Sequence, residues 1–202
     1  MPNKRIAGLL VLCGGLALCA AAQEKKPEPA PTVASVLEKQ LSLVEKEGVS
    51  AAEAMPEEKY SFAPSDGEFK GARTFAQQVR HIGSATNMLF GAFYGEKADF
   101  ELAEKGPANV TTKAQIVEYV KAAFAKGHRA IATLTPEDAT PKLENPPFGL
   151  VDTRLGAASF ACAHAFDHYG QMVVYLPRPP AAANSPFSQR SAGLGQEVRL
   201  RL

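Results

Sequence analysis

Residues 155–176 read LGAASFACAHAFDHYGQMVVYL, and the fold is predicted most directly from this segment. It has the length of about six turns of α-helix, and Asp167 is its only charged residue. A helix without a charged side is normally covered by protein over most of its circumference. We therefore predict a helix from about Asp152 to Leu176 that packs against other helices of the same chain.

Two histidines lie on one face of this helix. His164 and His168 are four residues apart, so their side chains stack one turn above the other. Imidazoles at this spacing can share one divalent metal ion. Alanines on the same face leave room for a ligand. Gln171 and Tyr175 also share this face, where they either line a pocket or form hydrogen bonds inside the protein; the sequence leaves both alternatives open.

Three further segments carry apolar residues at helical spacing. Their predicted N-caps are Thr32, Thr74 and either Thr111 or Thr112, and their ends lie near Pro56, Phe93 and Leu134. No segment shows a convincing strand pattern. Four amphipathic helices predict an all-α protein with the architecture of a four-helix bundle.

The second of these helices contributes a third histidine. His81 lies about 120° from the middle of the apolar stripe of that helix, on a flank that borders a neighbouring helix or a cleft. Three protein ligands and a water are typical of an open catalytic metal site, whereas a closed structural zinc site takes four ligands. Cys162 lies too far around its helix to be a good fourth ligand. The predicted metal ligands are His81, His164 and His168; the alternative is that His164 and His168 are ordinary hydrogen-bonded helix residues.

Three other reactive side chains have simpler interpretations. His128 stands between Gly127 and Arg129 and is predicted to lie at the surface. Cys162 is predicted to be a small core residue. Asp167 either orients a ligand histidine or has a solvent role or a salt bridge. Gly-rich phosphate loops and the HExxH and GxSxG motifs are missing from the sequence, so no particular reaction is indicated.

The first 22 residues have the layout of a secretory signal peptide. Lys4 and Arg5 precede an uncharged apolar run over residues 6–19, and Ala20 to Ala22 provide an Ala-x-Ala cleavage site. The run is short for a membrane span, which needs about 20 residues, although an uncleaved anchor remains the alternative. We therefore expect an exported protein, periplasmic or secreted, with no stable membrane insertion after cleavage.

Cleavage at this site defines the remaining predicted regions. Removing Lys4 and Arg5 from the 22 basic residues leaves 20 against 21 acidic residues, a net charge of −1 that indicates no nucleic-acid partner. Cys162 is then the only cysteine, so no intrachain disulfide can form. Residues 23–31 are predicted to be a flexible spacer, 32–176 one domain and 177–202 a disordered tail. A homodimer is left open.

Three segments of this sequence resemble the DinB/YfiT-like family: FAQQVRH at residues 75–81, HAFDHYGQ at 164–171 and AMPEEKYSF at 54–62. The resemblance extends over about residues 33–176. It implies a four-helix bundle in which His81, His164 and His168 hold a divalent metal, with zinc and nickel both suitable. Members include thiol-dependent transferases. We expect a metal-dependent enzyme, similar to a thiol transferase or a hydrolase, acting on a small molecule; the alternative is a non-catalytic protein that binds metal or a small ligand.

Overall fold

The computed structural model describes residues 30–64 and 71–177. In these ranges the chain forms five α-helices: α1 (Val33–Ala54), α2 (Phe75–Gly91), α3 (Phe100–Lys105), α4 (Lys113–Ala132) and α5 (Arg154–Tyr175). Short 3-10 helices follow α1 and α2, at Glu57–Lys59 and Ala92–Tyr94. The described residues contain no β-strand, only an isolated bridge between Lys142 and Thr153.

Threonine side chains fix where the four long helices begin. Thr32, Thr74, Thr112 and Thr153 each accept a hydrogen bond from the backbone N–H three residues further on. Such a cap satisfies one of the N–H groups that have no partner inside the helix. The predicted starts of α1 and α2 are confirmed, and Thr112 rather than Thr111 caps α4. The last helix begins at Arg154, two residues later than predicted.

The four long helices form the predicted bundle. Helices α1 and α2 each pack against both α4 and α5, so α1 and α2 occupy one diagonal of the bundle and α4 and α5 the other. The interior contains fully buried Leu41, Val44, Phe75, Phe90, Phe124, Ile131 and Met172. This arrangement brings the inner faces of α2 and α5 together.

Helix α3 was missed by the sequence analysis and packs against α2. Asp99 caps it by accepting a hydrogen bond of 2.9 Å from the N–H of Leu102. Lys105 and Glu101 form an ion pair of 2.9 Å one turn apart. Gly106 ends the helix with φ of +71°, a conformation that glycine adopts most easily. The six-residue length explains why the apolar pattern did not reveal it.

Three predicted regions lie wholly or mostly outside these ranges. The signal peptide at 1–22, most of the spacer at 23–31 and the tail after Pro177 all fall outside the described residues, so the domain boundaries stay predictions. Within the part of the chain that is described, no helix combines the length and the apolar character that a membrane crossing requires.

Candidate metal centre

His81 from α2 and His164 and His168 from α5 lie together between these two helices. The ring of His168 is 4.5 Å from each of the other two rings, and the rings of His81 and His164 are 5.1 Å apart, measured between centroids. One nitrogen from each ring lies within 4.8 Å of the others. His81 and His168 are buried and His164 is half-buried.

The spacing of the nitrogens suits a shared ion. The Nε2 atoms of His81 and His164 are 3.2 Å apart. Two nitrogens bound tetrahedrally to one zinc ion, each at its usual distance from the metal, are separated by about 3.3 Å. The nitrogens of His81 and His164 therefore already have the spacing of two ligands of one ion, and the third imidazole offers a nitrogen within 4.8 Å of both.

A backbone carbonyl determines which nitrogen of His81 carries the proton. Nδ1 of His81 lies 2.7 Å from the carbonyl oxygen of Ala103, in α3. Because a carbonyl oxygen only accepts, Nδ1 is the donor, and Nε2 of the neutral ring keeps its lone pair for a metal. The short helix α3 is thus part of the centre, since it presents the carbonyl that orients His81.

A chain of side-chain hydrogen bonds orients His168. The Asp167 carboxylate only accepts, so Gln171 Nε2 donates to it at 3.0 Å. Gln171 Oε1 then accepts from Gln78 Nε2 at 2.7 Å, and Gln78 Oε1 accepts from His168 Nδ1 at 3.1 Å. Because the carboxylate can only accept, it fixes which group donates in each of the three hydrogen bonds. His168 therefore has the same tautomer as His81, with Nε2 free for a metal.

Burial keeps the three imidazoles neutral. It is the main cause that lowers the pKa of His81, of His164 and of His168, the last to about 4. Repulsion between neighbouring rings lowers the pKa of His164 and His168 further. A metal binds the neutral imidazole and competes with protons for it. The lowered pKa values therefore favour metal binding at neutral pH.

Glu104 is the acidic side chain beside the centre. Its Oε2 lies 3.9 Å from Nδ1 of His81, and its other oxygen accepts a hydrogen bond from Arg73. That hydrogen bond is the main cause that lowers the pKa of Glu104. The carboxylate is therefore ionised at neutral pH, and Arg73 offsets its charge.

A cavity of about 210 Å³ opens directly beside His81 and His164. Its other walls are largely apolar and come from α2, α3, α5 and the loop before α5. A larger groove of about 830 Å³ lies between α2 and α3, and Glu104 borders both spaces, but none of the three histidines lines the larger one. Of these two spaces, the smaller cavity therefore gives access to His81 and His164.

Comparison with known families agrees with this geometry. A sequence profile described as the DinB superfamily matches residues 40–172, about two thirds of the chain. The chain belongs to the DinB superfamily. Within this DinB domain, the three histidines can hold a metal ion.

Solved structures show the same DinB fold. A DinB-like protein of Bacillus subtilis, YjoA, is 15% identical, with a TM-score of 0.55 over 72% of this chain and 96% of that one. A conserved protein of Enterococcus faecalis is also 15% identical, with a TM-score of 0.54 and the same coverage. A candidate DinB member from Exiguobacterium sibiricum is 16% identical, with a TM-score of 0.50 over 73% and 92% of the two chains. No curated protein matches this sequence.

The remaining site residues predicted from the sequence are placed differently within the DinB bundle. Gln171 belongs to the hydrogen-bond chain behind His168, and its predicted role in lining a pocket stays a prediction. Tyr175 donates a hydrogen bond of 3.1 Å to the carbonyl of Arg73 and borders a separate groove with Phe62. Gln78, which joins Gln171 to His168, was missed; its position one turn before His81 was the available signal.

Two further side chains of the DinB domain lie outside the centre. Cys162 is buried, as predicted, and burial raises the pKa of its thiol to about 11, so the thiol is unreactive at neutral pH. His128 was predicted to lie at the surface, but it is half-buried between α4 and α1. Its ring contacts Glu38 and Glu45, at 2.7 Å and 2.8 Å.

Proposed function

We propose that this DinB protein is an exported, divalent-metal-dependent enzyme that acts on a small molecule, with zinc or nickel held by His81, His164 and His168. The convergence of three neutral imidazoles beside a cavity carries the proposal. Three protein ligands leave a coordination position for water or substrate. A closed structural site would need a fourth side chain, and among the described residues no fourth histidine, cysteine or carboxylate completes the cluster.

The chain's own residues would prepare the site for a reaction. A bound divalent ion acts as a Lewis acid and can activate a water or a thiol. The carbonyl of Ala103 and the amide of Gln78 hold two rings in one tautomer, so these ligands need no rearrangement. Glu104 is the charged group at the cavity and can accept a proton from a bound molecule. Thiol transfer and hydrolysis are the reaction classes that this arrangement suits.

Metal analysis of the purified protein tests the proposal. The protein is prepared without a metal-binding affinity tag and its metal content is measured. We expect about one equivalent of transition metal per chain, lost in His81→Ala and retained in His128→Ala, a matched control in which a histidine outside the centre is removed. Stoichiometric metal in His81→Ala would refute the ligand assignment. No metal after incubation with zinc and nickel would refute the proposed function.

A non-catalytic protein that binds metal or a small ligand is the second candidate. One observation favours this second candidate: Arg73 pairs with Glu104 and makes that carboxylate a weaker base. The state of the open coordination position separates the two candidates. A water that exchanges rapidly, measured by the relaxation of solvent protons in a paramagnetic metal derivative, favours catalysis. A blocked position favours storage or a structural role.

Export is the part of the proposal that rests on sequence alone. The basic start, the apolar run over residues 6–19 and the Ala-x-Ala site support it. The mass of the protein recovered from a fractionated cell tests it. We expect a chain that begins at Gln23 in the periplasmic or secreted fraction, with no nucleic acid bound. Gel filtration of the same sample tests the homodimer.

A further inference from the structure

We propose that the cavity beside His81 and His164 binds an aromatic ring of the substrate. The histidines are part of the proposed function, and the inference rests on it by assigning a chemical class to the molecule that approaches them.

Phenylalanines dominate the wall of the cavity. Phe100 comes from α3, Phe148 from the loop before α5, and Phe160 from α5 itself. Phe148 meets Phe160 edge to face with the ring centroids 5.1 Å apart, and Phe100 lies 6.5 Å from Phe148. Aromatic rings prefer such edge-to-face and offset contacts. The walls therefore offer a further ring the same kind of contact that they already make with one another.

The row of aromatic rings leads from the surface to the candidate metal centre. Phe100 borders the cavity and is 55% exposed, so it lies at the surface end of the row. At the other end Phe160 stacks on His164, with the centroids 5.7 Å apart and the planes only 16° from parallel. A molecule that enters past Phe100 therefore meets apolar rings until it reaches an imidazole.

The volume of the cavity matches one ring. An apolar cavity of about 150 Å³ in another protein stays dry and binds benzene. The cavity in this chain measures about 210 Å³, which holds a ring with one small substituent. Ala85 and Ala103 also line the cavity, together with Met88 and Leu89, and larger side chains in place of the two alanines would fill the space.

The cavity also favours an apolar group over a charged one. Glu104 is the only charged side chain that lines it, and this carboxylate is negative and already paired with Arg73. A second anion would be repelled, and a cation would lose water without gaining a buried partner. An uncharged aryl group gains from leaving water and needs no polar partner.

Fluorobenzene binding to the metal-free protein, followed by fluorine NMR, tests the cavity by itself. We expect saturable binding that weakens at least tenfold in Ala85→Leu, because the leucine fills the space, and severalfold in Phe100→Ser. Phe62→Ser is the matched control: Phe62 is similarly exposed but does not line the cavity. No saturable binding, or binding unchanged in both cavity variants of a folded protein, overturns the inference.

A pair of metal-binding probes tests the link to the centre. Cobalt-loaded protein is titrated with benzohydroxamate and with acetohydroxamate, which present the same chelating group, and the visible spectrum is followed. We expect about tenfold tighter binding of the aryl probe, with the preference lost in Ala85→Leu. Equal affinities in a cobalt-loaded protein overturn the inference and leave the proposed function standing. If the protein binds fluorobenzene but no metal, the inferred site for an aromatic ring stands and the proposed function is refuted.

Discussion

Two histidine sites in the same bundle place the same side chain in opposite surroundings. At the candidate metal centre His81, His164 and His168 face one another, and in the described part of the chain none of them has a carboxylate at hydrogen-bond distance. At the second site His128 lies between Glu38 and Glu45. Burial lowers the pKa of the three clustered histidines, whereas at His128 the two carboxylates outweigh burial and raise the pKa.

The hydrogen-bond partners of the ring nitrogens explain why the histidines of the two sites differ in chemistry. At the centre a carbonyl and an amide oxygen accept from the Nδ1 atoms of His81 and His168, and the other nitrogen keeps a lone pair. At His128 both ring nitrogens face carboxylates, so the ring is favoured in its doubly protonated form and has no lone pair to offer. One arrangement suits a metal and the other suits a cation held in an ion pair.

Removing the amide behind His168 makes the largest expected change. Gln78→Leu removes the acceptor for Nδ1 of His168 and breaks the hydrogen-bond connection between His168 and Gln171. Groups that orient a ligand histidine are worth about 10–100-fold in metal affinity, or about 1.4–2.7 kcal/mol. We expect a loss of that size for zinc, measured by competition with a coloured chelator.

Gln171→Leu is the graded control for this prediction. It breaks the same hydrogen-bond chain one step further from His168 and leaves Gln78 in place. We expect a smaller loss of affinity than in Gln78→Leu. Equal affinities of wild type and Gln78→Leu would show that the hydrogen-bond chain does not orient the ligand, and the contrast between the two histidine sites would lose its physical basis.

Local patterns in the sequence were sufficient for much of the bundle. The apolar spacing predicted the four long helices to within a few residues, and threonine caps marked the starts of α1, α2 and α4, because both signals arise within or next to single helices. The i,i+4 pair His164 and His168 was visible for the same reason. His81 was found from its position on the flank of its helix, and the structure brings it to the pair.

Features that depend on contacts distant in the sequence were not predictable in this way. Ala103 accepts from a histidine 22 residues away, and Gln78 joins residues 90 or more positions away. His128 was assigned to the surface because its neighbours in sequence are polar, but its partners Glu38 and Glu45 come from α1. Nothing near His128 in the sequence specifies which helix faces it.

Two glycines, one near each histidine site, differ in how closely other side chains pack against them. Gly127 precedes His128, and a Cβ there would lie 2.7 Å from the ring of Phe90 and 2.9 Å from Leu41. Gly170 follows His168 by two residues, and a Cβ there would meet nothing within 4 Å. Helix α4 therefore needs glycine for its close approach to α1 and α2, whereas α5 does not at Gly170.

Alanine at the two positions is expected to change stability in opposite directions. Gly170→Ala should stabilise by about 0.5–1 kcal/mol, since alanine loses less backbone entropy on folding. Gly127→Ala has the same favourable entropy term, but the added Cβ overpacks against Phe90 and Leu41 at a cost of about 1–3 kcal/mol. We therefore expect a net destabilisation of about 1 kcal/mol. Urea denaturation of both variants measures the difference. A stabilised Gly127→Ala protein would mean that Phe90 and Leu41 move aside easily.

The pH dependence of stability separates the two kinds of histidine. Because the pKa of His128 is raised in the folded protein, its contribution is fully present below the unfolded value of about 6.5 and is lost as the pH rises through the folded value. Both ion pairs are partly exposed, and pairs of that kind contribute up to about 1 kcal/mol each. His128→Gln should therefore lower the free energy of unfolding by about 1 kcal/mol at pH 5.5 and by much less at pH 9.

The difference between wild type and His128→Gln is the quantity to measure, by urea denaturation of the metal-free proteins at both pH values. In the unfolded chain His81, His164 and His168 also titrate over this range, but they are present in both proteins, so their contribution cancels in the difference. A difference that shrinks as the pH rises identifies His128 as a cation in the folded state. A difference that stays constant would mean that the ring is held by hydrogen bonds alone, and the two histidine sites would then differ in geometry but not in charge.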